Sequence, residues 1–220
     1  MKKDDMKSAK SRKGLWWIAA GIVLILAALS LALFNWHQDW QNGEAAQEYL
    51  TELLEQIPQT SDSAEEQTTS GGGDLLAEYA ENQPQEEEPV AEAGGYDFIG
   101  YITIPKLEIE LPVLSEWNYA NLKISPCRYA GSALTGNLVI AAHNYNSHFG
   151  RINELNTGDI ICFTDCGGAV REYEVVQTEI IDGYDVAAMT ADDDSYDLTL
   201  FTCTWSGTNR VTVRAVEKSN

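Results

Sequence analysis

Thr199-Leu200-Phe201-Thr202-Cys203-Thr204-Trp205-Ser206-Gly207-Thr208-Asn209-Arg210-Val211-Thr212-Val213 is the stretch from which the fold is read. A β-rich apolar run is followed by a small polar turn with one glycine, then by a second β-branched run, the pattern of an antiparallel strand pair. In that pairing Cys203 ends the first strand and Arg210 opens the second. A guanidinium, which keeps its proton in proteins, then lies beside a thiol and favours the thiolate, its reactive form. The same residues also fit a core cysteine in a buried strand with a surface arginine past the turn. Chemistry at this place needs a base from elsewhere in the chain.

Upstream of this pair the texture is that of short strands. Ile99–Ile104, Ile109–Val113, Asn137–Ala142, Asp159–Thr164 and Glu172–Val176 precede Leu198–Cys203 and Val211–Val216. Pro105, Pro112, Gly131, Gly136, Gly158 and Gly167-Gly168 punctuate them. Strands at this spacing, with one helical turn around Phe149–Leu155, predict a mainly β fold over residues 96–220. The form expected is a closed or nearly closed barrel, and a chain of this length buries a real core.

The N-terminal side is of a different kind. Residues 1–14 are polar and basic, with Lys2, Lys3, Lys7, Lys10, Arg12 and Lys13, and residues 15–34 are almost wholly apolar. Twenty helical residues span about 30 Å, the thickness of a bilayer core. Trp16 and Trp17 flank one end and Trp36 and Trp40 the other, where aromatic belts belong. The basic residues before the span predict a cytoplasmic N-terminus and an extracellular remainder. A cleaved signal peptide fits less well, because its apolar region is only about 7–15 residues long.

Residues 35–95 read as an acidic tether: from 43 onward they contain no Lys or Arg and many Glu. Such composition does not fold alone. Leu50, Leu53, Leu54 and Ile57 fall at helical spacing, and Leu75, Leu76 and Tyr79 suggest a second short helix. These patches either dock on the following domain or remain marginal helices. The formal net charge of -20, with the basic residues concentrated before residue 15, excludes binding to a nucleic-acid backbone.

Four cysteines, at 127, 162, 166 and 203, are too few for a disulfide scaffold, and no CxxC occurs. Cys127, Cys162 and Cys166 read as unpaired and structural. A zinc site drawing on Cys162, Cys166 and a histidine lacks the paired short spacings that such sites use. Asp192-Asp193-Asp194 reads as a solvated loop rather than a calcium site. No metal and no cofactor is called for.

The base comes from Leu138-Val139-Ile140-Ala141-Ala142-His143-Asn144, where a buried strand delivers a histidine into a loop. A cysteine nucleophile needs a neighbouring base or cation, and its leaving amine needs a proton donor. An oxyanion needs a fixed donor. Cys203, His143 and Arg210 supply those parts, each at a strand end.

Here the sequence resembles a family. Thr199-Leu200-Phe201-Thr202-Cys203 is similar to the TLxTC signature of the sortases, membrane-anchored cysteine transpeptidases of Gram-positive bacteria. Gly100-Tyr101-Ile102-Thr103-Ile104-Pro105-Lys106-Leu107 resembles the family's opening strand, and Leu155-Asn156-Thr157-Gly158-Asp159-Ile160 its L-x-x-GD segment. Arg210-Val211-Thr212-Val213 resembles its last strand. The loop His143-Asn144-Tyr145-Asn146-Ser147-His148-Phe149-Gly150 suggests a class B- or class D-like member.

The resemblance implies an eight-stranded barrel behind a single transmembrane helix. It implies that Cys203 attacks an LPxTG-like sorting signal and forms an acyl-enzyme. Protein is then passed to an amine of a cell-wall precursor or a pilin lysine. His143 would be acid and then base, Arg210 would orient substrate and stabilise the oxyanion, and Thr202 and Asn144 would line the substrate and oxyanion pocket. The partners implied are surface proteins or pilins bearing the sorting signal. Two other readings use the same residues: a tethered cysteine peptidase releasing its product to water, and a wall-binding β-domain without chemistry. Ile57-Pro58-Gln59-Thr60-Ser61 is similar to a sorting pentapeptide with Ser for Gly. Neither an apolar span nor a basic tail follows it, so it reads as linker.

Overall fold

The computed structural model describes residues 5–58, 88–190 and 195–218. Contacts divide the chain into two units, 1–41 and 42–220. Helix α1 (Asp5–Gln56) supplies the described residues of the first unit and the opening residues of the second. In the first unit, Gly14–His37 is long and apolar enough to cross a membrane, and none of it is buried.

The second unit is a β-barrel. Its strands are β1 (Ala91–Ala93), β2 (Tyr96–Ile104), β3 (Ile109–Leu114), β4 (Cys127–Ala130), β5 (Leu138–Ala141), β6 (Ile160–Asp165), β7 (Val170–Asp182), β8 (Leu198–Cys203) and β9 (Asn209–Glu217). The hydrogen-bonded order is β1-β2-β3-β4-β5-β8-β9-β7-β6, and pairing of β2 with β6 closes β2–β9 into an eight-stranded barrel. Short β1 is a hairpin partner of β2 outside the ring. The pairings β3–β4 and β5–β8 are parallel and the others antiparallel. Sequence patterning misses β4, where buried Cys127 is followed by three half-buried residues, and stops β7 six residues early because Gln177–Asp182 is polar on one side.

Alternation along the strands sorts side chains between an interior and two outer layers. Ile102, Ile140, Phe163, Tyr173, Leu200 and Val213 are fully buried in the barrel interior. A second cluster of Phe98, Leu114 and Cys127 lies under α1, which adds Leu53 and Ile57 to it. A third, of Val139, Ala141, Ile181 and Phe201, lies under helix α2 (Val186–Thr190), which adds Met189.

Arg214 ties α2 down. Its guanidinium, only 2 % exposed, donates to the carbonyls of Met189 and Ala188, to Thr199 Oγ1 at 2.9 Å and to Glu179 Oε1 at 3.2 Å. A buried cation is tolerable only when paired and hydrogen-bonded in this way.

Of the two fates open to the patch at Leu50, Leu53 and Ile57, the structure takes docking. Ala46, Leu50, Leu53 and Ile57 are all buried. Tyr49 packs edge-on to Tyr96 at 5.7 Å between ring centroids. Gln47 Nε2 donates to the Glu110 carbonyl at 2.8 Å and Gln56 Nε2 to the Glu92 carbonyl at 2.9 Å. Ile57 is therefore a core residue, not the first position of a free pentapeptide. Gln59–Ser61, the patch at Leu75, Leu76 and Tyr79, and Asp192–Asp194 lie outside the described residues.

A fully buried leucine at a helix–barrel seam costs about 2–5 kcal/mol when cut to alanine. Leu53→Ala is expected to lower the unfolding free energy by that amount, read from denaturant titration of the full chain in detergent. A loss under 1 kcal/mol would show that the helix does not pack there.

Candidate active site

Strand register assembles the site. In the parallel β5–β8 pair Ala141 lies beside Phe201. One step on, Ala142 N–H donates to the Phe201 carbonyl at 3.1 Å, and Thr202 Oγ1 donates to the Ala142 carbonyl at 2.9 Å. The next residues along the chain are His143 on the one side and Cys203 on the other. On the other side the antiparallel β8–β9 pair sets Cys203 directly opposite Arg210.

Cys203 and Arg210 also share a face. Leu198, Leu200 and Ala142 point into the barrel, whereas Val139, Ala141 and Phe201 point outward. Alternation carries Cys203 to the outer face, and residues opposite in a ladder point the same way, so Arg210 joins it. Arg210 is in turn paired with Ile181 of β7, which is buried in the outer cluster.

A cleft of about 180 Å³ opens at this end of the barrel. Cys203 lines it together with Asn144, Thr202, Thr204 and Trp205. Phe149, Ile180 and Val211 give it an apolar wall. His143 and Arg210 are not among its lining residues. Trp205 is 90 % exposed on the short turn between β8 and β9.

The Thr202 hydroxyl is taken up by the Ala142 carbonyl, so it braces the end of β5. Arg210 donates through Nη1 to the carbonyls of Gly207 at 3.0 Å and Asn209 at 3.1 Å. Both bonds use one nitrogen, which leaves Nε and Nη2 with donors to spare for an anionic oxygen. Gly183 gives the guanidinium its room: a Cβ there would stand 2.7 Å from Arg210 Nη1.

The His143 imidazole stacks flat on Tyr145, 4.3 Å between centroids and 16° between planes. Burial lowers its pKa from the ordinary 6.5; a hydrogen bond with the Asn144 side chain opposes the shift and the charge of Lys123 adds to it. The other thiols are set apart. Burial pushes Cys127 up to about 12 and Cys166 up to about 11, and burial with Glu172 nearby also raises Cys162. All four cysteines are free. Among the described residues no group of three or more His, Cys, Asp or Glu is placed to hold a metal.

Tyr145, Gly183 and Arg214 are absent from the sequence-derived site. Tyr145 sits two residues past a candidate histidine, and Gly183 ends a strand like any turn glycine. Arg214 lies four residues beyond Arg210 on the same strand face, a spacing that points to it only once the register is known.

A thiol and a guanidinium opposite each other at a strand end, with a histidine just past the end of the neighbouring strand and a cleft with an apolar wall beside the thiol, make up the candidate site. The sequence model of the sortase domain matches residues 102–218, more than half of the chain. The chain belongs to the sortase family. Sortase D of Bacillus subtilis (strain 168) is 30% identical over 107 residues, 47% of this chain and 53% of that protein. The match thus spans about half the length of that relative.

Among solved structures, a sortase D5 transpeptidase of Clostridium perfringens superposes with a TM-score of 0.50 at 23% identity, over 56% of this chain and 79% of the other. Sortase A of Listeria monocytogenes gives 0.49 at 25% identity, over 56% and 88%.

The lowered His143 pKa has a consequence for stability. Below about 6.5 the unfolded chain binds a proton at His143 that the folded chain resists, so the folded state loses stability as pH falls through that window and nothing changes above it. Between pH 7.5 and 5.5, His143→Gln is expected to show a shallower loss of unfolding free energy than the wild-type chain. Equal slopes would contradict the assignment.

Proposed function

We propose that this chain is a sortase-type cysteine transpeptidase, cleaving an LPxTG-like sorting signal and joining the new carboxyl end to an amine. The observation that carries the reading is Cys203 paired opposite Arg210 at the end of β8, whose neighbour β5 ends two residues before His143. Membership of the sortase family supports it.

In the first half-reaction the Cys203 sulfur attacks the scissile carbonyl carbon. The carbonyl oxygen becomes an oxyanion beside the Arg210 guanidinium, whose fixed positive charge stabilises it. The carbon–nitrogen bond breaks as His143 delivers a proton to the leaving amine. This leaves a thioester on Cys203. In the second half-reaction an incoming amine attacks the thioester carbon, His143 takes the amine proton, and the Cys203 sulfur departs as thiolate beside the protonated imidazole. Asn144, hydrogen-bonded to His143, and Thr202, bonded to the Ala142 carbonyl, hold the imidazole's strand end in place.

The partners proposed are surface proteins or pilins bearing the signal, and an amine of a cell-wall precursor or a pilin lysine. The six basic residues before the apolar helix favour a cytoplasmic N-terminus with the barrel outside. Residues 1–14 are then the cytoplasmic tail and 15–34 the anchor. The match to a sortase D favours a class D-like over a class B-like enzyme.

Intact-mass spectrometry of the full chain in detergent, with LPxTG- and NPQTN-type peptides, tests this. The expected result is an adduct on Cys203 equal to the peptide's N-terminal fragment, absent in Cys203→Ala and converted to amide product when an amine is added. Hydrolysis that ignores added amine would make the chain a peptidase, and absence of any adduct would leave a binding domain.

A further inference from the structure

The loop after β5 holds an aromatic arrangement that the reaction steps above do not use. Tyr145 lies flat on the His143 imidazole, 4.3 Å away and nearly parallel. Its other neighbour is His148, whose ring meets it edge-on at 5.6 Å. His148 is fully buried. The tyrosine ring is thus held between a fixed inner ring and the half-buried His143. Stacked aromatic pairs favour one mutual orientation over free rotation.

The backbone around Tyr145 is equally constrained. Its carbonyl accepts from the N–H of His148 at 3.0 Å and from that of Gly150 at 2.8 Å. The His143 carbonyl accepts from Phe149 N–H at 3.1 Å, closing the loop across its base. Phe149 and Ile152 anchor the far side in the barrel interior. From outside, Gly43 of α1 abuts the loop, so closely that a Cβ at Gly43 would stand 2.9 Å from that of Ser147. Tyr145 is set by all of these, and His143 rests on Tyr145.

A general acid has to hold its proton in line with one leaving nitrogen, and a misplacement of about 1 Å costs up to about a hundredfold in rate. Solvated imidazole at a strand end has free χ angles. Among the described residues, the polar constraint on this ring is its hydrogen bond with the Asn144 side chain. That single bond leaves the ring plane undetermined, and a flat stacking partner determines it.

We propose that Tyr145 is a positioning residue of the acyl-transfer site, fixing the plane of the His143 imidazole by stacking while His148 backs it from the core. The proposal rests on the reading of His143 as acid and base. The stack, not the phenol hydroxyl, does the work, so phenylalanine suffices in its place and an aliphatic residue of similar bulk does not.

The experiment compares Tyr145→Phe and Tyr145→Leu with the wild-type chain in detergent, by two readouts. The first is the His143 Cε1–H resonance, assigned by its loss in His143→Gln. The second is sorting-peptide turnover, with kcat and KM separated. In Tyr145→Leu the resonance is expected to lose its ring-current shift and kcat to fall about ten- to hundredfold, with KM within about twofold. Tyr145→Phe is expected to restore both.

An unmoved resonance in Tyr145→Leu, or a fall in KM-linked affinity with kcat intact, would overturn the proposal. So would failure of Tyr145→Phe to restore kcat. If the wild-type chain turns over no sorting peptide, the proposed function fails; the resonance then still decides whether Tyr145 sets the ring, and an unmoved signal overturns the stacking as well.

Discussion

The parallel pairing of β5 with β8 is the interaction on which the site depends. No hairpin joins these strands; fifty-six residues separate Ala141 from Leu198, and the whole of β6, β7 and α2 lies between them in sequence. Their alignment is nevertheless fixed, because both are buried on two faces, with Leu138, Ile140, Leu198 and Leu200 inside and Val139, Ala141 and Phe201 outside. A slip of β8 by one residue would turn Leu198 and Leu200 out of the interior together. The bond from Thr202 Oγ1 to the Ala142 carbonyl locks the last step before the histidine. Packing that serves the core therefore also fixes the strand ends from which His143 and Cys203 follow.

Two helices finish the barrel from outside, and they bear on the site differently. The 42–56 part of α1, with Ile57 just after it, covers the cluster at Phe98, Leu114 and Cys127, and its start abuts the loop that carries Tyr145. Helix α2 covers the cluster directly beneath the Cys203 row and is held there by Arg214. Since Arg214 and Arg210 share one face of β9, one strand supplies both the cation beside the thiol and the clamp for the neighbouring wall. The cost of burying Arg214 is offset by four hydrogen bonds, one of them to the paired Glu179.

Much of the barrel is legible in the sequence because its strands are short, β-branched and bounded by glycine or proline. Cys203, His143 and Arg210 stand out because each is a reactive side chain placed where an apolar run ends. What sequence periodicity does not carry is which runs pair. Register is a long-range property, and with it come the common outer face, the clamp by Arg214 and the room that Gly183 leaves for Arg210. The docking of Leu53 and Ile57 is hidden for another reason: an amphipathic patch in an acidic, lysine-free segment looks the same whether or not a partner surface exists. Strand β4 is missed because Cys127–Ala130 is only partly buried and shows no clean alternation.

The central claim is that β5–β8 register brings His143 to Cys203. Its most direct test is the pH dependence of Cys203 alkylation by iodoacetamide, followed by peptide mapping to separate it from Cys127, Cys162 and Cys166. With the two side by side, the rate profile of the wild-type chain carries a step where His143 titrates, and that step disappears in His143→Ala while the barrel stays folded. Superimposable profiles for the two proteins would contradict the account.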